Sequence, residues 1–238
     1  MALKRKFKKF FREIGASARG IGYGVVARAK NIIGYETYGK NKNGVVVTIP
    51  GYALAHGPSK HFRIKSYFAD EGYKVYAYNP GRTIDKKIEA IAWDLSSFIE
   101  DVCKKESEKG VFIVAHSMGG LVARYCLEEC GHADQIYKIF SLATPYYGTK
   151  TARLARHTVA GREMVPKSDF LQQLAKKRRY VNKIISIRAR KDQAIRPVTS
   201  SILEGAINIE ADVVGHNLLK DDKVTAEIIL KYLTLAKK

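Results

Sequence analysis

The sequence predicts an α/β fold, a mainly parallel sheet of about six strands with helices on both faces. Three observations carry this. From residue 44 onward, short apolar runs of strand length alternate with longer segments of helical periodicity. The strand runs are continuously apolar, the pattern of strands buried on both faces. The chain has 238 residues, 46% of them hydrophobic, which suits one domain with a full core.

The elements follow in order. GVVVTIP (44–50) is β-branched and stops at Pro50-Gly51. Residues 60–71 read as a helix, and YKVYAYNP (73–80) as a strand closed by Asn79-Pro80-Gly81. A long helix over about 84–108 puts Ile88, Ile91, Ala92, Leu95, Phe98, Ile99 and Val102 on one face. VFIVAH (111–116) is a strand, LVARYCLEEC (121–130) a helix and IYKIFSLATP (136–145) a strand. Two more strands cover 182–190 and 205–214. A final helix over about 221–236 has Asp221 placed to cap it. Residues 147–180 contain no strand and interrupt the alternation, as a small cap insertion would. There is no internal repeat of 20–50 residues.

Charge is unevenly spread. The net is +19, from 42 Lys+Arg against 23 Asp+Glu. Residues 1–34 carry a net of +8 and residues 147–180 a net of +7. Such fields attract phospholipid surfaces, nucleic acid or acidic substrates. Residues 1–43 are therefore read as a basic amphipathic N-terminal segment, and 44–238 as the domain. In LKRKFKKFFREIG, Leu3, Phe7, Phe10, Phe11 and Ile14 recur at helical spacing between cations. A helix on a membrane interface, a helix packed on the domain and a cleaved targeting peptide all fit that pattern.

Arg12, Glu13 and Arg19 break any secretory apolar region, and no run of about 18 apolar residues exists to span a membrane. A cytoplasmic or peripheral-membrane location is expected. Cys103, Cys126 and Cys130 are too few for a disulfide framework; they read as buried apolar thiols, with no metal site expected.

The chemistry gathers at Ala115-His116-Ser117-Met118-Gly119-Gly120, where a buried strand meets a helix. A nucleophile elbow needs that context, with small residues two before and two after the serine, here Ala115 and Gly119. A serine nucleophile needs a base, and the base an orienting acid. On an α/β sheet these follow in the order serine, acid, histidine. His216 lies after the last strand and before the final helix. His132 comes too soon after the elbow, and His157 sits in the basic insertion. Asp192 follows the strand at 182–190, with Glu210 and Asp212 as alternative acids. The oxyanion donors are expected to be the Met118 amide and, from the loop after the first strand, the Tyr52 amide.

VAHSMGGLVARY (114–125), SLATPYYGTKTA (141–152), VPKSDFLQQL (165–174), the 192–197 segment and GHNLL (215–219) together resemble the α/β-hydrolase superfamily. Within it, they resemble the small bacterial lipases and the lipase-like serine esterases that include GPI-inositol deacylase-type proteins. The resemblance spans about residues 44–236. It implies the α/β-hydrolase fold and hydrolysis of carboxylic esters, including lipid-like ones, through an acyl-enzyme without a cofactor. Thioester cleavage or acyl transfer would use the same triad. Two departures stand out: Ala115 replaces the commoner Gly, and Ile49-Pro50-Gly51 stands where His-Gly is usual. The two extra N-terminal strands of larger members are expected to be absent. The competing class is a non-catalytic basic module binding lipid or nucleic acid. Lys176-Lys177-Arg178-Arg179 could contact phosphates, but no base-reading motif accompanies it, so nucleic acid is not the expected partner.

Overall fold

The computed structural model describes residues 22–28, 31–52 and 62–235. Its strands are β1 (Gly22–Arg28), β2 (Asn31–Tyr38), β3 (Val45–Ile49), β4 (Lys74–Asn79), β5 (Val111–His116), β6 (Ile136–Leu142), β7 (Ile184–Lys191) and β8 (Ile207–Val214). They form one sheet in the order β1-β2-β4-β3-β5-β6-β7-β8. From β4 to β8 every neighbour is parallel. The helices are α1 (Lys65–Asp70), α2 (Ile88–Glu106), α3 (Met118–Glu129), α4 (Val159–Glu163), α5 (Asp169–Lys176) and α6 (Lys223–Leu235).

The continuous apolar strands do face two cores. Val45, Val47, Ile49, Ile113 and Ala115 point into the layer that holds α2 and α3. Val46, Val75, Phe112 and Val114 point into the layer that holds α1 and α6. The predicted apolar face of α2 is buried as expected, and Phe98 on it lies 5.5 Å from Tyr35 and 5.0 Å from Tyr78 between ring centroids. Burying such a ring contributes roughly 1.5–3 kcal/mol.

Two expectations need correction at the N-terminal side. The six strands read from the sequence are β3 to β8, but β1 and β2 precede them. The N-terminal strands expected to be missing are thus present, and the sheet begins before residue 44. The pair is antiparallel, with Arg28 opposite Asn31, and β2 adds antiparallel to β4, with Tyr38 opposite Val75. An antiparallel pair at a sheet edge needs no continuous apolar run. GYGVVAR and NIIGYETY, broken by glycine and polar residues, therefore carry no continuous apolar run of strand length. The amphipathic helix expected over residues 1–14 lies outside the described residues. At the other end, Asp222 rather than Asp221 serves α6, accepting from the Val224 amide at 2.8 Å. Asp221 instead accepts from the Arg63 amide and Lys220 Nζ.

The cap insertion is present between β6 and β7. It comprises a 3-10 turn over Lys150–Ala155, then α4 and α5. Thr158 and Ser168 cap the two helices through their hydroxyls. The buried Arg124 of α3 donates from Nη2 to the carbonyls of Leu174 and Lys177, both at 3.0 Å, and so ties the end of α5 to the body. Cys103, Cys126 and Cys130 are buried free thiols. Among the described residues no helix is long and apolar enough to cross a membrane.

The start of α3 sits against β3 and the loop after β6 without room for side chains. A Cβ on Gly120 would fall 1.8 Å from Thr144 Oγ1. Gly120→Ala is therefore expected to destabilise the fold by about 1–3 kcal/mol through overpacking. Chemical denaturation measures this, and an unchanged midpoint would refute it.

Candidate active site

Four loops bring the site together, each at the carboxyl end of a parallel strand, where an open α/β sheet places its ligands. Tyr52 follows β3, Ser117 follows β5, Asp192 follows β7 and His216 follows β8. Ser117 has φ 56° and ψ −125°, a left-handed conformation that is uncommon for a residue with a side chain. Its amide donates to the Leu142 carbonyl at 2.7 Å. Close backbone packing enforces the turn: a Cβ at Gly119 would lie 2.5 Å from the Pro50 carbonyl oxygen, and one at Gly51 would lie 2.9 Å from Ser117 Cβ. Ala115, buried on β5 beside Ile49, fits here with its single methyl.

His216 Nδ1 and Asp192 Oδ2 are 2.8 Å apart. The Asp192 side chain is 1% exposed. Its other oxygen accepts from the amides of Ala194 and Ile195 at 2.7 and 2.8 Å. Burial pushes its pKa up, but the bond and charge of His216 and the two backbone donors outweigh this and hold it below the usual carboxylate value. The alternative acids are engaged elsewhere, Glu210 with Arg188 and Asp212 with Arg190.

The sequence placed His116 in the elbow and no more; the structure gives it a second set of contacts. Its Nε2 is 3.0 Å from the His216 carbonyl oxygen, which can only accept, so the proton sits on Nε2. Its ring centroid is 4.6 Å from that of His216 and 6.3 Å from that of Phe62. Gln193, which carried no signal in the sequence, takes the His216 amide on Oε1 at 3.2 Å. The main chain of His216 is thus held on both sides, and its ring by Asp192.

Ser117, His216, Tyr52 and His116 line one cleft of about 620 Å³ together with Pro50, Phe62, Met164, Ile195 and Lys220. Gly51, immediately before Tyr52, runs against Ser117. Met118 opens α3, so its amide has no intrahelical partner. The Tyr52 hydroxyl and Thr158 Oγ1 are 3.0 Å apart, which joins this loop to the cap. Residues 53–61 lie outside the described residues. His157 is exposed on the cap, and neither it nor His132 lines the cleft. Among the described residues no cluster of three or more His, Cys, Asp or Glu could hold a metal ion.

Residues 40–201 match the family profile described as Serine aminopeptidase, S33. The chain belongs to this family of α/β hydrolases. The matched stretch includes Ser117 and Asp192 and stops before His216. Solved structures show the same fold at low identity. The mature Bacillus licheniformis lipase BlEst2 superposes with a TM-score of 0.67 at 13% identity, covering 92% of this chain and 99% of that one. The Paleococcus ferrophilus monoacylglycerol lipase gives 0.62 at 14%, covering 85% and 98%. Aspergillus fumigatus lipase B gives 0.70 at 16%, covering 88% of this α/β hydrolase and 56% of that chain. A comparison with curated proteins gives no significant match.

His116 supplies a pH prediction. Burial, then the neighbouring His216, push its pKa down to about 3. The unfolded chain takes up this proton near 6.5 and the folded chain only near 3, so stability falls as pH drops through that window. The slope from this one group is at most about 1.4 kcal/mol per pH unit. Asp192, also depressed, acts only below the ordinary carboxylate range. His116→Gln should flatten the loss of stability between pH 6 and 4 in denaturation curves. Equal slopes in the two proteins would show that another group is responsible.

Proposed function

We propose that the protein is a serine esterase or lipase that hydrolyses carboxylic esters of lipid-like substrates, with Ser117 as nucleophile, His216 as base and Asp192 as orienting acid. The observation that carries this reading is the 2.8 Å His216–Asp192 pair at the cleft that Ser117 also lines. In this mechanism His216 Nε2 takes the Ser117 hydroxyl proton as Oγ attacks the ester carbonyl carbon. The oxyanion is held by the amides of Met118 and Tyr52. The tetrahedral intermediate collapses, the C–O bond to the alcohol breaks, and His216 returns the proton to the leaving oxygen. Water then repeats the sequence on the acyl-enzyme. Asp192 stays ionised throughout, keeping the Nδ1–H tautomer and stabilising the imidazolium.

The lining of the cleft favours an ester over a peptide. An aminopeptidase needs an acid to hold its substrate's terminal ammonium. Among the described residues the cleft offers Lys220 and no carboxylate, and the sequence of 53–61 contains neither Asp nor Glu. Pro50, Phe62, Ala152, Met164 and Ile195 supply an apolar wall suited to an acyl chain. Several proteins of similar structure are named lipases, which agrees with this substrate class. Thioester cleavage and acyl transfer would run through the same groups, so a panel of p-nitrophenyl esters, acyl thioesters and aminoacyl anilides separates the readings.

Ser117→Ala is expected to reduce p-nitrophenyl ester turnover to the background rate with an unchanged melting temperature. Undiminished turnover would sink the assignment. Asp192→Asn should lower kcat by about three to four orders of magnitude, because the asparagine stabilises the wrong imidazole tautomer. A loss below tenfold would remove Asp192 from the mechanism.

A further inference from the structure

The cap turn over Lys150–Ala155 has two sides. Thr151, Ala152 and Ala155 face inward and line the cleft. Arg153, Leu154 and, just beyond, Arg156 are exposed. Leu154 is 85% exposed, the highest value among the large apolar side chains described. The turn is held at the mouth by the Tyr52–Thr158 hydroxyl contact and by the Lys150 amide, which donates to the Arg196 carbonyl at 2.9 Å. That last bond brings two further exposed cations, Lys150 and Arg196, to the same rim. Among the described residues, none of these four cations forms an ion pair with an acid. Elsewhere on the cleft, Leu218 follows the lining residue Asn217 and is 54% exposed.

We propose that this rim is a docking surface for an anionic phospholipid bilayer, and that it sets the cleft mouth against the headgroups. The proposal rests on the reading of the cleft as a site for lipid-like esters. A leucine raised on a turn between two arginines offers an apolar contact and anion-binding groups at one level, as an interfacial segment does. Cations left without acid partners keep their charge available for lipid phosphates. The orientation follows from the turn itself: the strip that meets the bilayer is the outer side of the strip that lines the cleft, so a lipid entering past Leu154 reaches Ser117 without crossing open water.

The test uses the full chain carrying Ser117→Ala, so that binding is measured without turnover. It is sedimented at low salt with phosphatidylglycerol-containing vesicles and with pure phosphatidylcholine vesicles. Binding is expected to be much stronger to the anionic vesicles and to be lost at high salt. Each cation near an anionic surface is worth about fivefold in affinity. Arg153→Gln with Arg156→Gln should therefore weaken anionic binding about 25-fold, while hydrolysis of a water-soluble short-chain ester by the Ser117-intact double variant stays unchanged. Leu154→Trp in a Trp93→Phe background should shift its fluorescence to the blue on anionic vesicles alone.

Equal binding to both vesicle types would overturn the proposal. So would undiminished binding by the double variant, which would place the contact on other residues of the chain. If the wild type leaves soluble esters intact yet docks as described, the ester reading fails and the docking surface stands.

Discussion

Ser117 is held in a left-handed backbone conformation that costs of order 1–3 kcal/mol for a residue with a side chain. It persists because everything around it leaves no alternative. Its amide is bonded to Leu142 on the neighbouring strand, and α3 begins at the next residue. The helix then descends so close to β3 that Gly119 has the Pro50 carbonyl where a Cβ would be. The strain is carried by parallel pairing of β5 with β3 on one side and β6 on the other. Because the turn is sharp, Ser117 lines the cleft although it stands between a buried strand and a buried helix.

His216, the proposed base, is restrained by a different kind of contact. His216 stands on a loop, where flexibility would normally blur its position, yet three neighbours act on it at once. Asp192 bonds the ring, Gln193 the amide and His116 the carbonyl. His116 ends the strand that Ser117 follows, so the position of His216 is referenced to Ser117 through one buried residue. A neutral imidazole suits that task in a buried site, because it donates a hydrogen bond without adding a charge beside His216. Asp192 is itself referenced to the cap. Thr149 Oγ1 donates to the Ala194 carbonyl and accepts from the Arg196 amide, so the loop that carries Asp192 is bonded to the start of the cap.

Much of this architecture was legible in the residues. Strands β3 to β8 were visible because burial on both faces leaves continuous apolar runs, and α2 because its apolar positions recur at helical spacing. Ser117 could be located because a small residue, a serine and a glycine at a strand–helix junction have few other uses. Asp192 and His216 could be named because strand ends on a parallel sheet converge. By contrast, β1 and β2 were hidden: they pair with each other in an edge hairpin, and β2 then pairs with the distant β4, and such pairing leaves little trace in composition.

Periodicity, steric size and ionisation are local properties, so the residues alone placed strands β3 to β8, the chain order of Ser117, Asp192 and His216, and the regions where charge is concentrated. Which acid faces His216 depends on the three-dimensional arrangement, because Asp192, Glu210 and Asp212 are all carboxylates and differ only in what they meet. Glu210 and Asp212 meet arginines on the neighbouring strand, whereas Asp192 meets the imidazole and two backbone amides. The contacts of His116 and Gln193 with His216 were likewise beyond the sequence, since they join residues 100 and 23 positions apart through a geometry that exists only once the parallel strands have aligned.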